Sequence, residues 1–185
     1  DYLLDGVSHL TYQLPSTPVD SSQMSSTSRT NFFPASDGAR WRNGFGSTLP
    51  IGGGGMIGGI AVAAKGLKPG VAVVAAEPAM ADDAARSKMS GVRQPPTNAP
   101  TLADGLRAGI GAITLPLLRD HVDSVITVTE AEISEWMRFA FERLKLVIEP
   151  SAAVGVAAIR SPAFKAMAKQ AGWRHVALVI CGGNV

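Results

Sequence analysis

Leu49-Pro50-Ile51-Gly52-Gly53-Gly54-Gly55-Met56-Ile57-Gly58-Gly59-Ile60 sets four consecutive glycines between a short apolar run and a helix-forming segment, Ile57 to Lys65. Glycine lacks a Cβ, so it tolerates positive φ and lets another group come close to the backbone. Successive free N–H groups in such a turn form an anion nest, and the helix behind them adds the positive end of its dipole. The stretch reads as a phosphate site. The competing reading is a flexible turn that binds nothing.

Which phosphate it takes is not settled by the stretch alone. No Gly-Lys-Ser/Thr follows, and Lys65 lies far down the helix, which argues against a nucleoside-triphosphate P-loop. The run Gly53-Gly54-Gly55-Met56-Ile57-Gly58 matches the dinucleotide fingerprint, and Glu77 closes the next apolar run, Val71 to Ala76, where a ribose-binding carboxylate would stand. On local pattern, a dinucleotide-binding oxidoreductase domain stays open. A non-catalytic binding or dimerisation module is the other alternative.

Working outward, Thr48–Ile51, Val71–Ala76, Ser124–Val128 and Val176–Ile180 read as short buried strands of the parallel-sheet kind. Helices are predicted between them. Glu130–Val147 is the clearest, with Ile133, Trp136, Met137, Ala140, Phe141 and Leu144 on one apolar stripe and a capping-box spacing at Thr129 and Glu132. A helix is also predicted to start near Met80, and two more over Ala152–Ile159 and Pro162–Ala171; the proline-rich Arg93–Pro100 reads as a surface loop. The alternation implies an α/β layered fold: a parallel sheet with helices on both faces and glycine loops at the C-terminal ends of strands.

Composition narrows the function classes. A chain of 185 residues with 46% apolar content supports one moderate domain, and a net charge of +2 from scattered Lys and Arg is too small to imply nucleic acid. A single cysteine excludes an intrachain disulfide and fits a reducing compartment, the cytoplasm. Apolar runs are broken by Gly or Lys well short of a membrane span. His9, His121 and His175 have no ligand spacing.

Five motifs then occur in order: Gly52-Gly53-Gly54-Gly55-Met56, Ala76-Glu77-Pro78-Ala79-Met80-Ala81-Asp82-Asp83, Ala103-Asp104-Gly105, Ile148-Glu149-Pro150-Ser151-Ala152-Ala153-Val154-Gly155 and Cys181-Gly182-Gly183-Asn184. From about Ser47 to Val185 the series resembles the C-terminal half of the serine racemase and serine/threonine dehydratase family, pyridoxal-phosphate enzymes of the tryptophan-synthase-β-like fold. The resemblance implies that Gly52, Gly53, Gly54, Gly55 and Met56 hold the cofactor phosphate. It implies further that Gly105 lies beside the cofactor, Glu149 begins a segment near its ring, and Cys181 faces the pyridine nitrogen. A neutral thiol is a weak partner there and would leave that nitrogen largely unprotonated. Without its neighbours Cys181 would read as a small core residue.

By the same resemblance, Glu77, the carbonyl of Ala81 and Asp83 match a divalent-cation site. Hard oxygen ligands of this kind suit Mg²⁺, Ca²⁺ or Mn²⁺. Asp82 and Asp83 would equally favour the first turn of a helix. Lys145 and Asn184 fall where this branch contacts an activating nucleotide, ATP, at its dimer interface. The family implies a small amino-acid substrate and a homodimer.

What the chain does not contain also bears on function. Pyridoxal-phosphate chemistry needs a lysine to form the Schiff base and move the α-proton. In this family it stands upstream of the glycine loop, yet residues 1–46 hold no lysine, and the substrate-gripping Ser-Gly-Asn-His type loop is absent too. No residue is therefore assigned a catalytic role, and the chain alone is expected to be inactive. Twelve of the first 46 residues are Ser or Thr, without periodicity, so disorder is expected there. A cleavable transit peptide would need a higher arginine density. The expectation is a fragment or mis-assigned segment joined near Ser47 to a partial large domain, 47–185. Such a sheet would have an exposed edge and an uncovered apolar surface.

Overall fold

Val73, Val74, Ala75 and Ala76 are all fully buried, which happens only when a strand is covered on both faces. Side chains along a strand alternate between faces, and here they feed two separate cores. Val73 and Ala75 pack with Leu49, Ile51, Ile57 and Leu118. Val74 and Ala76 pack with Ile126, Val128, Ile133 and Val154 on the other side. Burying each large apolar side chain contributes about 1.5–3 kcal/mol.

The computed structural model describes residues 45–97 and 100–184. Four strands, β1 (Phe45–Pro50), β2 (Ala72–Pro78), β3 (Ser124–Val128) and β4 (His175–Leu178), form one parallel sheet in the order β3-β2-β1-β4. Register is set by pairs such as Thr48 with Val74, Thr48 with Leu178, and Ala76 with Ile126. Six α-helices lie among these strands in the described residues: α1 (Gly55–Leu67), α2 (Asp83–Ser90), α3 (Thr114–His121), α4 (Glu130–Phe139), α5 (Pro150–Arg160) and α6 (Pro162–Gln170). Residues Ser151 to Ala158 of α5 are buried all round, so α5 is the central helix of its layer. Gly155 makes this close packing feasible: a Cβ there would stand 2.9 Å from Leu178 Cδ1 and 3.5 Å from Pro50 Cδ.

The structure departs from the sequence reading at several places. Phe45 and Gly46 already belong to β1, because they pair with His175 and Val176; the rest of the reading of residues 1–46 lies outside the described residues, as does His9. The helix expected over Glu130–Val147 holds its capping box at Thr129 and Glu132 but ends early. It widens into a π-helical turn at Ala140–Leu144 and stops at Lys145, which has φ 59°. The wider turn rotates the stripe, leaving Phe141 61% exposed while Ile133 and Ala140 are buried. The helix expected near Met80 begins as a 3-10 turn, Ala79–Ala81, before α2 starts at Asp83. α3 was not foreseen as a distinct helix, because Pro116 looks like a breaker. It sits in the first turn, where its missing N–H is not needed.

Candidate functional site

The strand order reverses between β1 and β4, and the loops leaving those two strands carry the most distinctive motifs. In open parallel sheets the crevice at such a point, beyond the C-terminal ends of the strands, is where ligands bind. Gly52–Gly55 follow β1 directly, and Cys181-Gly182-Gly183-Asn184 follow β4.

The glycine loop is shaped from two sides. Gly54 is the N-cap of α1, with φ 85°, a conformation that strongly favours glycine. A Cβ there would also stand 2.4 Å from Ile110 Cδ1 and 2.9 Å from Thr114 Oγ1. The carbonyl of Gly53 accepts from Thr114 Oγ1 at 2.6 Å and from the Gly111 N–H at 3.2 Å. The N–H groups of Gly52, Gly53, Gly54 and Gly55 find no acceptor among the described residues. They border a cavity of about 200 Å³ lined by Pro50 to Ile57, Gly105 and Leu106. An anion is what a row of unpartnered N–H groups ahead of a helix accommodates. No lysine lines this cavity.

Gly105 lies across the cavity, its carbonyl oxygen 3.4 Å from where a Gly52 Cβ would stand. Its own N–H donates to Ser151 Oγ at 3.1 Å and to Asp104 Oδ1 at 2.9 Å. Glu149, the N-cap of α5, belongs to a neighbouring cluster. Its Oε2 accepts from the Asn184 N–H at 3.3 Å, and its carboxylate fills the space where a Cβ on Gly182 would go. Desolvation, reinforced by the Glu149 charge, pushes the Cys181 thiol up, so it stays protonated at neutral pH. Asn184 thus sides with Glu149, whereas Lys145 Nζ donates to the Glu142 carbonyl at 2.9 Å. No hydrogen bond joins Lys145 to Asn184.

A second acidic site sits at the end of β2. Glu77 is 1% and Asp83 2% exposed, and neither has an ion pair among the described residues. Glu77 accepts from the Ala84 and Ala85 N–H groups at 3.2 and 2.6 Å; Asp83 Oδ2 accepts from the Ile110 N–H at 2.7 Å. Burial pushes the Glu77 carboxyl up to about 8 against these two hydrogen bonds, and the Asp83 and Asp82 charges push the same way. Two buried carboxylates with only backbone partners fit a hard cation. No group of three or more His, Cys, Asp or Glu side chains that could hold a metal occurs among the described residues, so carbonyls and water would have to complete the shell. Asp82 is engaged elsewhere, with Arg86 at 2.8 Å. Since Glu77 is buried against α2 and does not line the glycine cavity, it does not stand where a ribose-binding carboxylate would.

Thr114, Ser151 and Arg93, which donates through Nε to the Ile110 carbonyl at 2.7 Å, were not singled out from sequence as supports of the site. Nothing local marks them.

The model of the family described as pyridoxal-phosphate dependent enzyme matches residues 47–182. The chain belongs to that family. Similar proteins include the serine racemases of Arabidopsis thaliana, 48% identical over 74% of this chain and 41% of the relative, and of Homo sapiens, 47% identical over 74% and 40%. Among solved structures, maize serine racemase matches with TM-score 0.72 and 43% identity over 76% of this chain and 43% of that one. The serine racemase of Dictyostelium discoideum matches with TM-score 0.69 and 40% identity, over 77% and 44%. A bacterial-type neighbour, a threonine deaminase, matches with TM-score 0.64 and 37% identity, over 76% and 50%. The chain spans about two-fifths of the length of the curated relatives it matches. No helix among the described residues is long and apolar enough to cross a membrane.

Proposed function

We propose that this chain forms the phosphate- and cation-binding part, residues 47–185, of a serine racemase or serine/threonine ammonia-lyase acting on small hydroxy amino acids. The carrying observation is the row of unpartnered Gly52–Gly55 N–H groups bordering a cavity at the switch point of the sheet. Its setting within a family match over residues 47–182 supports the cofactor's identity. Pyridoxal phosphate, when bound, supplies stabilisation of negative charge at an amino acid's Cα.

In this reading Gly52, Gly53, Gly54, Gly55 and Met56 grip the phosphate through backbone N–H groups, and the Gly105 carbonyl borders the cofactor. The Cys181 thiol, kept neutral by desolvation and the Glu149 charge, offers its S–H toward the ring nitrogen without bringing a negative charge. Glu77 and Asp83, with the Ala81 carbonyl, hold Mg²⁺ or a similar cation and tie the end of β2 to α2. Lys145 and Asn184 serve an ATP-like activator, and assembly is as a dimer. None of the six lysines lines the cavity, so the chain binds and orients but does not move the α-proton.

Borohydride reduction of the chain mixed with pyridoxal phosphate tests this, with labelled lysines mapped by mass spectrometry. Weak, scattered labelling is expected, unchanged when Gly53 and Gly54 are replaced by bulky residues, with no D-serine or pyruvate formed from L-serine. Stoichiometric labelling of one lysine, abolished by the glycine changes, would refute the claim that no covalent anchor exists here.

A further inference from the structure

We infer that Thr114, outside all the motifs above, is the positioning residue that aims the phosphate-binding N–H groups; this rests on the phosphate-cradle reading of Gly52–Gly55. Four successive glycines have little conformational preference of their own, so the shape of this loop must be imposed from outside. The Thr114 hydroxyl has one proton to give. Its acceptors are Gly53 O at 2.6 Å and Gly111 O at 3.2 Å, and the shorter contact takes the proton. Its oxygen accepts the Gly111 N–H at 3.0 Å, and that N–H is shared with Gly53 O at 3.2 Å. A trans peptide is planar, with its C=O and N–H on opposite sides. Pinning the Gly53 carbonyl against α3 therefore turns the Gly54 N–H the other way, toward the cavity.

The anchor is itself rigid. Ile110, next to Gly111, is held through its N–H by buried Asp83 and through its carbonyl by Arg93, each at 2.7 Å. Thr114 sits on the first turn of α3, which packs on α1 through Leu117 against Gly58. One hydroxyl thus transmits the placement of α3 to the loop.

The test is isothermal titration of the chain with pyridoxine 5′-phosphate, which carries the phosphate but no aldehyde to react with lysines. Unphosphorylated pyridoxine is the control. Wild type is expected to bind the phosphate ester and not the control. Thr114→Val should weaken binding about five- to twentyfold, the loss of one hydrogen bond with some loop reordering, while Thr114→Ser restores it to within about twofold. If Thr114→Val melts early, Thr114→Cys replaces it, similar in size but a poor donor, with weakening again expected. Undiminished binding by the Val or Cys variant, or failure of Ser to restore it, overturns the inference and leaves the cradle reading intact. Failure of wild type to bind the phosphate ester overturns both.

Discussion

Single residues decide how the two ligand-binding regions respond to conditions. The Glu77 carboxyl is raised from 4.5 to about 8, chiefly by burial. A group protonated more readily in the folded state adds stability that is complete below its unfolded value and is lost as pH rises through the folded one. In chelator, the urea-unfolding free energy should therefore fall by a few kcal/mol from about pH 4.5 to about pH 8. Glu77→Gln should flatten that slope, and Mg²⁺ should reduce it by favouring the ionised form. A wild-type profile indifferent to pH would place Glu77 in a more polar setting. Gly54 gives a second test. At φ 85°, with Ile110 and Thr114 filling the space a Cβ would need, Gly54→Ala should cost about 1–2 kcal/mol from backbone strain alone, more from crowding. The midpoint of urea unfolding reports it.

At the scale of elements, helix ends and strand ends hold the functional loops. α4 begins with a full capping box, Thr129 Oγ1 accepting the Glu132 N–H while the Glu132 carboxylate accepts the Thr129 N–H. Thr129→Ala should cost about 1 kcal/mol, seen as a lower melting temperature with the phosphate-ester affinity unchanged, since α4 lies on the opposite face from α1 and α3. An altered affinity would show that the two layers are coupled. This helix also marks the reach of pattern reading. Its start was legible because capping is local, and the tetraglycine turn and four strands were legible for the same reason. Its end was not. The π-helical turn at Ala140–Leu144 and the exposure of Phe141 depend on how α4 packs against α5, and residue spacing does not encode that.

For the whole molecule, the open question is what covers its remaining apolar surface. Leu67, Met89, Ile113 and Phe141 are 75%, 85%, 87% and 61% exposed, and β3 and β4 have no outer strand neighbour among the described residues. Large exposed apolar groups and open sheet edges favour association. Sedimentation velocity of the chain should show a coefficient that rises with concentration over the micromolar range. A concentration-independent monomer would mean that these groups are too scattered to act as a surface.

The sequence by itself determined the α/β alternation, the glycine nest, the acidic run at Glu77–Asp83 and the order of motifs that marks the family. Each is carried by residues adjacent in the chain, where periodicity, missing Cβ atoms and capping chemistry act locally. Tertiary structure alone decided that Glu77 turns into α2 rather than toward a ribose. It alone brought Gly105 to the glycine cavity and Glu149 to Gly182. It alone set Thr114, 61 residues beyond Gly53, as the support of the loop. Those contacts join segments far apart in sequence, and only the register of a parallel sheet, with a helix packed on each face, brings them within hydrogen-bonding distance.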